Sequence, residues 1–260
     1  MEEQNCRFQA PFSFVIFFSS TGKALTWNGS LKNVTNVDSI SQEDFPALAS
    51  FAKENNINFL IPGPEAPLVA GVVDYFEKNV PGVRSFGPQE SAARMEGSKT
   101  FSKDFMKEHN IPTAAYENFD NYEAAKKYLD TIDHNVVIKA DGLAAGKGVI
   151  IPQTKEEAHA ALKDIMLTRE FGSAGDSVVI EEFLEGEECS ILTFSDGHAI
   201  ASLPPAQDHK RIGDGDTGPN TGGMGTYAPC PERVISKAQL EDINKTILQP
   251  TIDGMRNSGE

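Results

Sequence analysis

The sequence predicts an α/β protein, and three observations carry that prediction. From Asp38 onward, segments with helical periodicity alternate with short β-branched runs, the rhythm of strand–helix–strand units around a parallel sheet. The 260 residues suffice for one large core or two smaller ones, which sets aside a small scaffold stapled by disulfides or metals. The third observation is VVIKADGLAAGKGVII, residues 136–151, where two β-branched runs flank a glycine-rich segment.

Taken in order, the apolar run PFSFVIFF at 11–18 predicts a buried strand. Glu2 and Glu3 beside Arg7 leave it without the positive flank of a signal peptide, and it is too short to span a bilayer. EDFPALASFAKENN predicts an amphipathic helix, NFLIPG a buried strand, and APLVAGVVDYFEKN a second helix. The strand ends in Gly63-Pro64-Glu65. Ligands of open α/β sheets sit beyond strand carboxyl ends, so this turn is either a site wall or an ordinary turn before a helix. SAARMEGSKTFSKDFMKEHN predicts one helix ending before Ile111-Pro112, with Lys99 and Lys103 on one face. NYEAAKKYLDTI and TKEEAHAALKDIML predict helices on either side of the glycine-rich stretch, and SVVIEEFL and CSILTFSDG predict strands after it. Residues 204–231 are rich in Pro, Gly and Asp and show no periodicity, so they predict a long loop, of the kind that is usually functional or disordered.

The glycine-rich segment is not a Walker A loop. Gly142 and Gly146 are one residue too close, and Gly148 replaces the hydroxyl residue that would follow the lysine. Strand-like runs on both sides make it a hairpin flap instead. Gly142, Gly146 and Gly148 can turn backbone amides toward an anion, while Leu143, Ala144 and Ala145 lie between them and Lys147 supplies charge at the tip. Lys139 lies among Val137, Ile138 and Ala140, so its ammonium is expected to be partly buried and to need an anionic partner, which a nucleotide phosphate would supply. The alternative is a flexible hairpin with an edge-strand lysine that guards against aggregation. In EEFLEGEE, Glu181 could accept from an adenine amine and Glu188 could meet ribose hydroxyls, or the run is a solvated acidic face.

Acidic residues outnumber basic ones, 38 to 23, for a formal charge of −15, which argues against a nucleic-acid-tracking surface. Cys6, Cys189 and Cys230 are odd in number and widely spaced, which suits reduced thiols in a cytoplasmic compartment. No CxxC or HxxxH pair suggests a metal site, and no membrane partner is expected.

Five blocks, GPEAPL (63–68), ARMEGSK (93–99), VIKADGLAAGKGV (137–149), EEFLEGEE (181–188) and PPAQDHKRIGDGDTGPNTGGMG (204–225), occur in an order that closely resembles the glycinamide ribonucleotide synthetase (phosphoribosylamine–glycine ligase) family of ATP-grasp enzymes. The resemblance implies a partial Rossmann-like N-terminal domain over 1–96, with 1–32 divergent, followed by an incomplete ATP-grasp domain over 97–260 with a lid at about 117–188. It implies ATP-dependent ligation of glycine to 5-phosphoribosylamine through a glycyl phosphate in purine synthesis, with ATP and magnesium or manganese as cofactors.

The same resemblance places Lys99, Lys139 and residues 142–148 on the phosphates, Glu181, Phe183 and Leu184 around adenine, and Glu188 on the ribose. It makes the segment from Asp208 a substrate loop, with Lys210, Arg211, Asp214, Asp216, Asn220, Thr221, Gly222 and Gly223 facing glycine or the ribosyl phosphate, and Gly63, Pro64 and Glu65 meeting phosphoribosylamine. Two departures are expected to matter: the family's opening GxGGREHALAWKL segment is replaced, and its EYNxRFGDPE block, which supplies metal ligands, falls beyond Glu260. The chain is accordingly expected to be a truncated form or fragment, in eukaryotes commonly the opening of a longer multifunctional chain that includes aminoimidazole ribonucleotide synthetase. The alternatives are a catalytically impaired ATP-binding fragment and an ATP-grasp ligase with another acceptor.

Overall fold

The structure is a computed structural model that describes residues 14–17, 37, 39–144, 148–215, 217–221, 223 and 225–259. It divides into two compact units, Met1–Gly97 and Ser98–Glu260.

In the first unit, strand β1 (Phe14–Phe17), within the predicted apolar run, pairs in parallel with β2 (Phe59–Pro62), and β2 pairs in parallel with β3 (Arg84–Ser85). The crossover helix α1 (Phe45–Glu54) starts where the Asp44 side chain accepts from the Ala47 amide at 3.0 Å, which satisfies one of the amides left open at a helix start. Its apolar stripe, Leu48, Ala49 and Ala52, packs with Leu60 and Phe76 in the core of the unit. The single helix expected over 66–79 is two, α2 (Glu65–Val69) and α3 (Val72–Asn79). Gly71 breaks it by turning left-handed at φ 82, and a Cβ there would come within 2.9 Å of the Glu90 carboxylate. The helix expected over 91–110 is likewise two, α4 (Glu90–Gly97) and α5 (Lys99–Glu108). Ser98 is extended between them and caps α5 by accepting from the Phe101 amide at 3.1 Å.

The second unit is built on an antiparallel sheet of β4 (Tyr116–Phe119), β5 (Val136–Ala140), β6 (Val149–Ile150) and β7 (Val178–Glu182), in the order β4-β7-β5-β6. Helices α6 (Tyr122–Thr131) and α7 (Lys155–Met166) cover one face, with Leu129, Leu162 and Ile165 packed on Val136, Ile138 and Ile180. Ile138, Leu162 and Ile165 are fully buried, and each such side chain contributes about 1.5–3 kcal/mol of transfer free energy. The period of two along a strand sends Tyr116, Asn118, Val137, Lys139, Val179 and Glu181 to the opposite face.

Beyond β7, the strand expected over 189–197 is only β8 (Thr193–Ser195), which pairs with β9 (Ile200–Ser202). Residues 204–231, expected as a loop, contain two short antiparallel ladders: β10 (Gln207–Asp208) with β13 (Thr226–Tyr227), and β11 (Arg211–Gly213) with β12 (Thr217–Asn220). Ladders of two to four mostly polar residues carry no alternating apolar pattern, which is why periodicity missed them. Helices α8 (Lys237–Ile243) and α9 (Gln249–Ser258) follow, joined by a π-helical turn. They had no place in the sequence-based reading. A reciprocal Ser236–Gln239 capping box was the available signal. No helix among the described residues is long and apolar enough to cross a membrane.

Candidate functional site

The sheet face turned away from α6 and α7 gathers the charged residues. Glu181, 5% exposed, places one carboxylate oxygen against the Lys103 ammonium of α5 and the other against the Lys139 ammonium of β5. Lys103 also donates to Thr113 Oγ1 at 2.7 Å and the Ala114 carbonyl at 3.3 Å, and lies 5.4 Å from the Tyr116 ring centre. Burial holds Lys103 below the usual lysine range, partly offset by the charge of Glu182. Burial also lowers Lys139, and the nearby charges of Lys103 and Lys99 lower it further. Tyr116 is pushed up to about 12 by burial and by its hydrogen bond to Asp104.

This arrangement adds a partner and corrects one alternative. The anionic partner that burial demands of Lys139 is given within the protein by the Glu181 carboxylate. Lys139 is also not on an edge strand: β5 lies between β7 and β6, and Lys139 pairs with Val179 on one side and Val149 on the other. The hairpin reading of the glycine-rich segment does hold, since β5 and β6 are antiparallel neighbours. At its root, Gly148 gives its carbonyl to the Ala140 amide at 2.8 Å, and a Cβ on Gly148 would lie 2.7 Å from that of Ala144. Leu143 is partly exposed, while Ala145, Gly146 and Lys147 lie outside the described residues.

The start of α5 is latched to that root. Asp141 accepts from the Thr100 amide at 2.7 Å and from the Ser98 hydroxyl at 3.1 Å. Lys99 donates its ammonium to the carbonyls of Gly142 at 2.9 Å and Asp141 at 3.3 Å. Lys103 and Lys139 therefore share one buried carboxylate, while Lys99 holds the hairpin root and its charge adds to the lowering of Lys139. Sequence reasoning found Lys99, Lys139 and Glu181 as site residues but did not assign Lys103, Asp141 or Ser98. The four-residue spacing of Lys99 and Lys103 and the serine before a helix were the usable signals.

After β7 the chain presents Phe183, 36% exposed, and Leu184, 64% exposed, beside this face. Glu188 and the expected substrate loop are brought together: Lys210 contacts the carboxylates of Glu188 and Asp208, each at 3.1 Å, and these hydrogen bonds raise its pKa. Arg211 donates to the Gly218 carbonyl at 3.3 Å, and the Asp214 carbonyl accepts from the Thr217 hydroxyl at 2.9 Å. The Thr221 hydroxyl accepts from the Gly223 amide at 3.1 Å, and Gly223 is left-handed at φ 75. Asn220 lies in β12, while Asp216 and Gly222 fall outside the described residues. Gly63, Pro64 and Glu65 belong to the first unit, where Pro64 and Glu65 begin α2 at the carboxyl end of β2. A cavity of about 140 Å³ lined by Leu129, Asn135, Val136 and Thr154 contains none of the expected site residues.

The comparisons with known proteins agree with this architecture. Residues 97–260 match the family model for the phosphoribosylglycinamide synthetase ATP-grasp (A) domain, and residues 23–96 match that for its N domain. The chain is 60% identical over 236 residues to the bifunctional purine biosynthetic protein PUR2,5 of Pichia angusta, a match covering 89% of this chain and 29% of that protein. It is 47% identical over 251 residues to the phosphoribosylamine–glycine ligase of Salmonella typhimurium, covering 96% of this chain and 57% of that one. The crystal structure of the phosphoribosylamine–glycine ligase of Thermotoga maritima superposes with a TM-score of 0.65 at 33% identity, covering 78% of this chain and 48% of that chain. The chain thus spans between 29% and 57% of the length of these two curated relatives. With an ATP-grasp match over the second unit and an N-domain match over most of the first, the chain belongs to the phosphoribosylglycinamide synthetase family.

Proposed function

We propose that this chain carries the nucleotide-holding part of an ATP-dependent ligase that joins glycine to 5-phosphoribosylamine to form glycinamide ribonucleotide, as its relatives' names indicate. The observation that carries the proposal is the lysine cluster on the face of the β4–β7 sheet turned away from α6 and α7, at the root of the glycine hairpin. Two ammonium groups, those of Lys103 and Lys139, meet one buried carboxylate there, and Lys139 is held below its usual range by burial and by the nearby charges of Lys103 and Lys99. A site with surplus positive charge favours a polyanion, and a phosphate oxygen beside Lys139 would relieve the repulsion that lowers it.

In this reading Lys99, Lys139 and the hairpin residues 142–148 hold the phosphates. Phe183 and Leu184, exposed and apolar, receive the adenine ring, and Glu188 the ribose. Residues 117–188 would serve as the lid, because their sheet has its own packed core with α6 and α7. The loop around Lys210 and Arg211 would take the carboxylate or phosphate of the remaining substrates, and Gly63-Pro64-Glu65 would meet phosphoribosylamine. Phosphoryl transfer supplies the activation that a carboxylate needs before an amine can displace one of its oxygens. The protein contributes charge, orientation and exclusion of water. Among the described residues no group of three or more His, Cys, Asp or Glu side chains is placed to hold a metal ion. None is therefore assigned to the magnesium or manganese the family implies.

Calorimetric titration of the chain with ATP, compared with Lys139→Ala, tests the proposal. The variant is expected to bind at least about tenfold more weakly, the loss of one charge-assisted contact. ATP binding by the variant equal to that of the parent would overturn the assignment of Lys139. ADP release from ATP that does not depend on glycine would overturn the ligase reading.

A further inference from the structure

Lys103 is the buried charge that the proposed function leaves unused. Its ammonium has three N–H donors, and the structure gives it three partners inside the protein: Glu181, Thr113 Oγ1 and the Ala114 carbonyl. With its side chain 10% exposed, it has no donor to offer a ligand. Lys139, with its side chain 29% exposed, takes the other oxygen of the same carboxylate. One carboxylate is thus divided between a fully enclosed ammonium and one that reaches solvent.

We propose that Lys103 is a positioning residue for polyphosphate binding: by holding one oxygen of Glu181 and compensating its charge, it leaves the ammonium of Lys139 under-compensated and available to an anion. This rests on the reading of the cluster as a phosphate site. With an uncharged side chain at 103, Glu181 would neutralise Lys139 alone. An incoming phosphate would then meet a buried carboxylate whose charge nothing else offsets. The direction follows from charge balance. Its size follows from the low effective dielectric of a buried pair, in which a unit charge a few ångströms away counts for far more than in water.

The test is titration of the full chain with ATP and, separately, with inorganic tripolyphosphate, using the parent, Lys103→Met, Lys103→Arg and Lys103→Met/Glu181→Gln, with thermal melts to establish folding. Lys103→Met is expected to weaken both ligands at least about tenfold, the worth of one unit charge roughly 12 Å away at an effective dielectric of about 20. Lys103→Arg should keep most of the affinity, and the double variant should return to within about threefold of the parent, because no carboxylate then sequesters Lys139. A purely structural lysine would show recovery of the thermal midpoint in the double variant with no loss of affinity in folded Lys103→Met. Folded Lys103→Met binding within twofold of the parent overturns the inference, and so does a double variant that binds no better than Lys103→Met. Should Lys103→Met fail to fold, the double variant decides alone, and affinity more than threefold below the parent counts against the inference. Absence of binding in the parent overturns the phosphate-site reading as well, which separates that failure from failure of the role given to Lys103.

Discussion

Glu181→Gln isolates the energetics of the lysine cluster. The substitution keeps the shape of the side chain and removes the carboxylate that contacts both Lys103 and Lys139. Breaking a buried ion pair from one side costs about 3–5 kcal/mol because the remaining charge is uncompensated. Here the lower end is expected, since Lys103 keeps Thr113 and Ala114 as partners and Lys139 is partly exposed. For a unit of this size each kcal/mol lowers the midpoint by about 2–4 °C, so a loss of roughly 6–12 °C is expected at neutral pH. The deficit should depend on pH with a definite sign. Burial already holds Lys103 and Lys139 below the ordinary lysine range, and losing the carboxylate lowers them further. A lysine whose folded pKa is depressed binds fewer protons folded than unfolded, so stability is regained as pH rises from the depressed value toward the ordinary one. Melts followed by circular dichroism at neutral pH and again in alkaline buffer should therefore show the gap to the parent narrowing. A midpoint within about 1 °C of the parent at neutral pH, or a gap that stays constant or widens with pH, would refute the reasoning.

Two further substitutions test the local devices around the site. Gly71→Ala should destabilise the first unit by about 1–2 kcal/mol or more, because alanine disfavours the left-handed conformation and its Cβ would press on the Glu90 carboxylate; a denaturant midpoint unchanged from the parent would contradict this. Asp141→Ala removes the acceptor for the Thr100 amide and the Ser98 hydroxyl, and should cost about 0.5–2 kcal/mol, as lost helix caps do. Amide exchange at Thr100 should then accelerate while exchange at Ile138 stays slow, and equal exchange at Thr100 in both proteins would remove the latch.

What the sequence disclosed and what it hid divide along physical lines. VVIKA and SVVIEE announce strands because β-branched runs bounded by turn residues have few other uses, and the glycine spacing excludes a Walker loop without any structure. The helix break at Gly71 escaped because apolar residues continue in helical register across it, and the left-handed backbone angle there reveals the stop, whereas the break at Ser98 left a capping serine as its one sequence signal. The partner of Lys139 was invisible for a different reason. Glu181 comes into reach only through the β5–β7 register, and Lys103 only through the packing of α5 on β7, so sequence spacing holds no trace of either. Helices α8 and α9 escaped because few of their residues are buried, which leaves a faint apolar stripe.

The β4–β7 sheet assigns opposite tasks to its two faces, and the pleat makes that possible within single strands. In β5, Val136, Ile138 and Ala140 lock onto α6 and α7, while Lys139 between them meets Glu181 and α5 on the other side. A charge at residue 139 can therefore be tuned by its neighbours without disturbing the apolar packing one residue away. The same geometry explains why the cluster tolerates a surplus of positive charge. The cost of crowding three ammonium groups is borne by a strand whose reverse face supplies enough apolar burial to hold it in register. If that division is correct, substitutions at Lys103, Lys139 and Glu181 should change anion affinity in ways that track charge, whereas substitutions at Ile138 or Ile180 should change stability and leave the relative affinities of ATP and tripolyphosphate as they were.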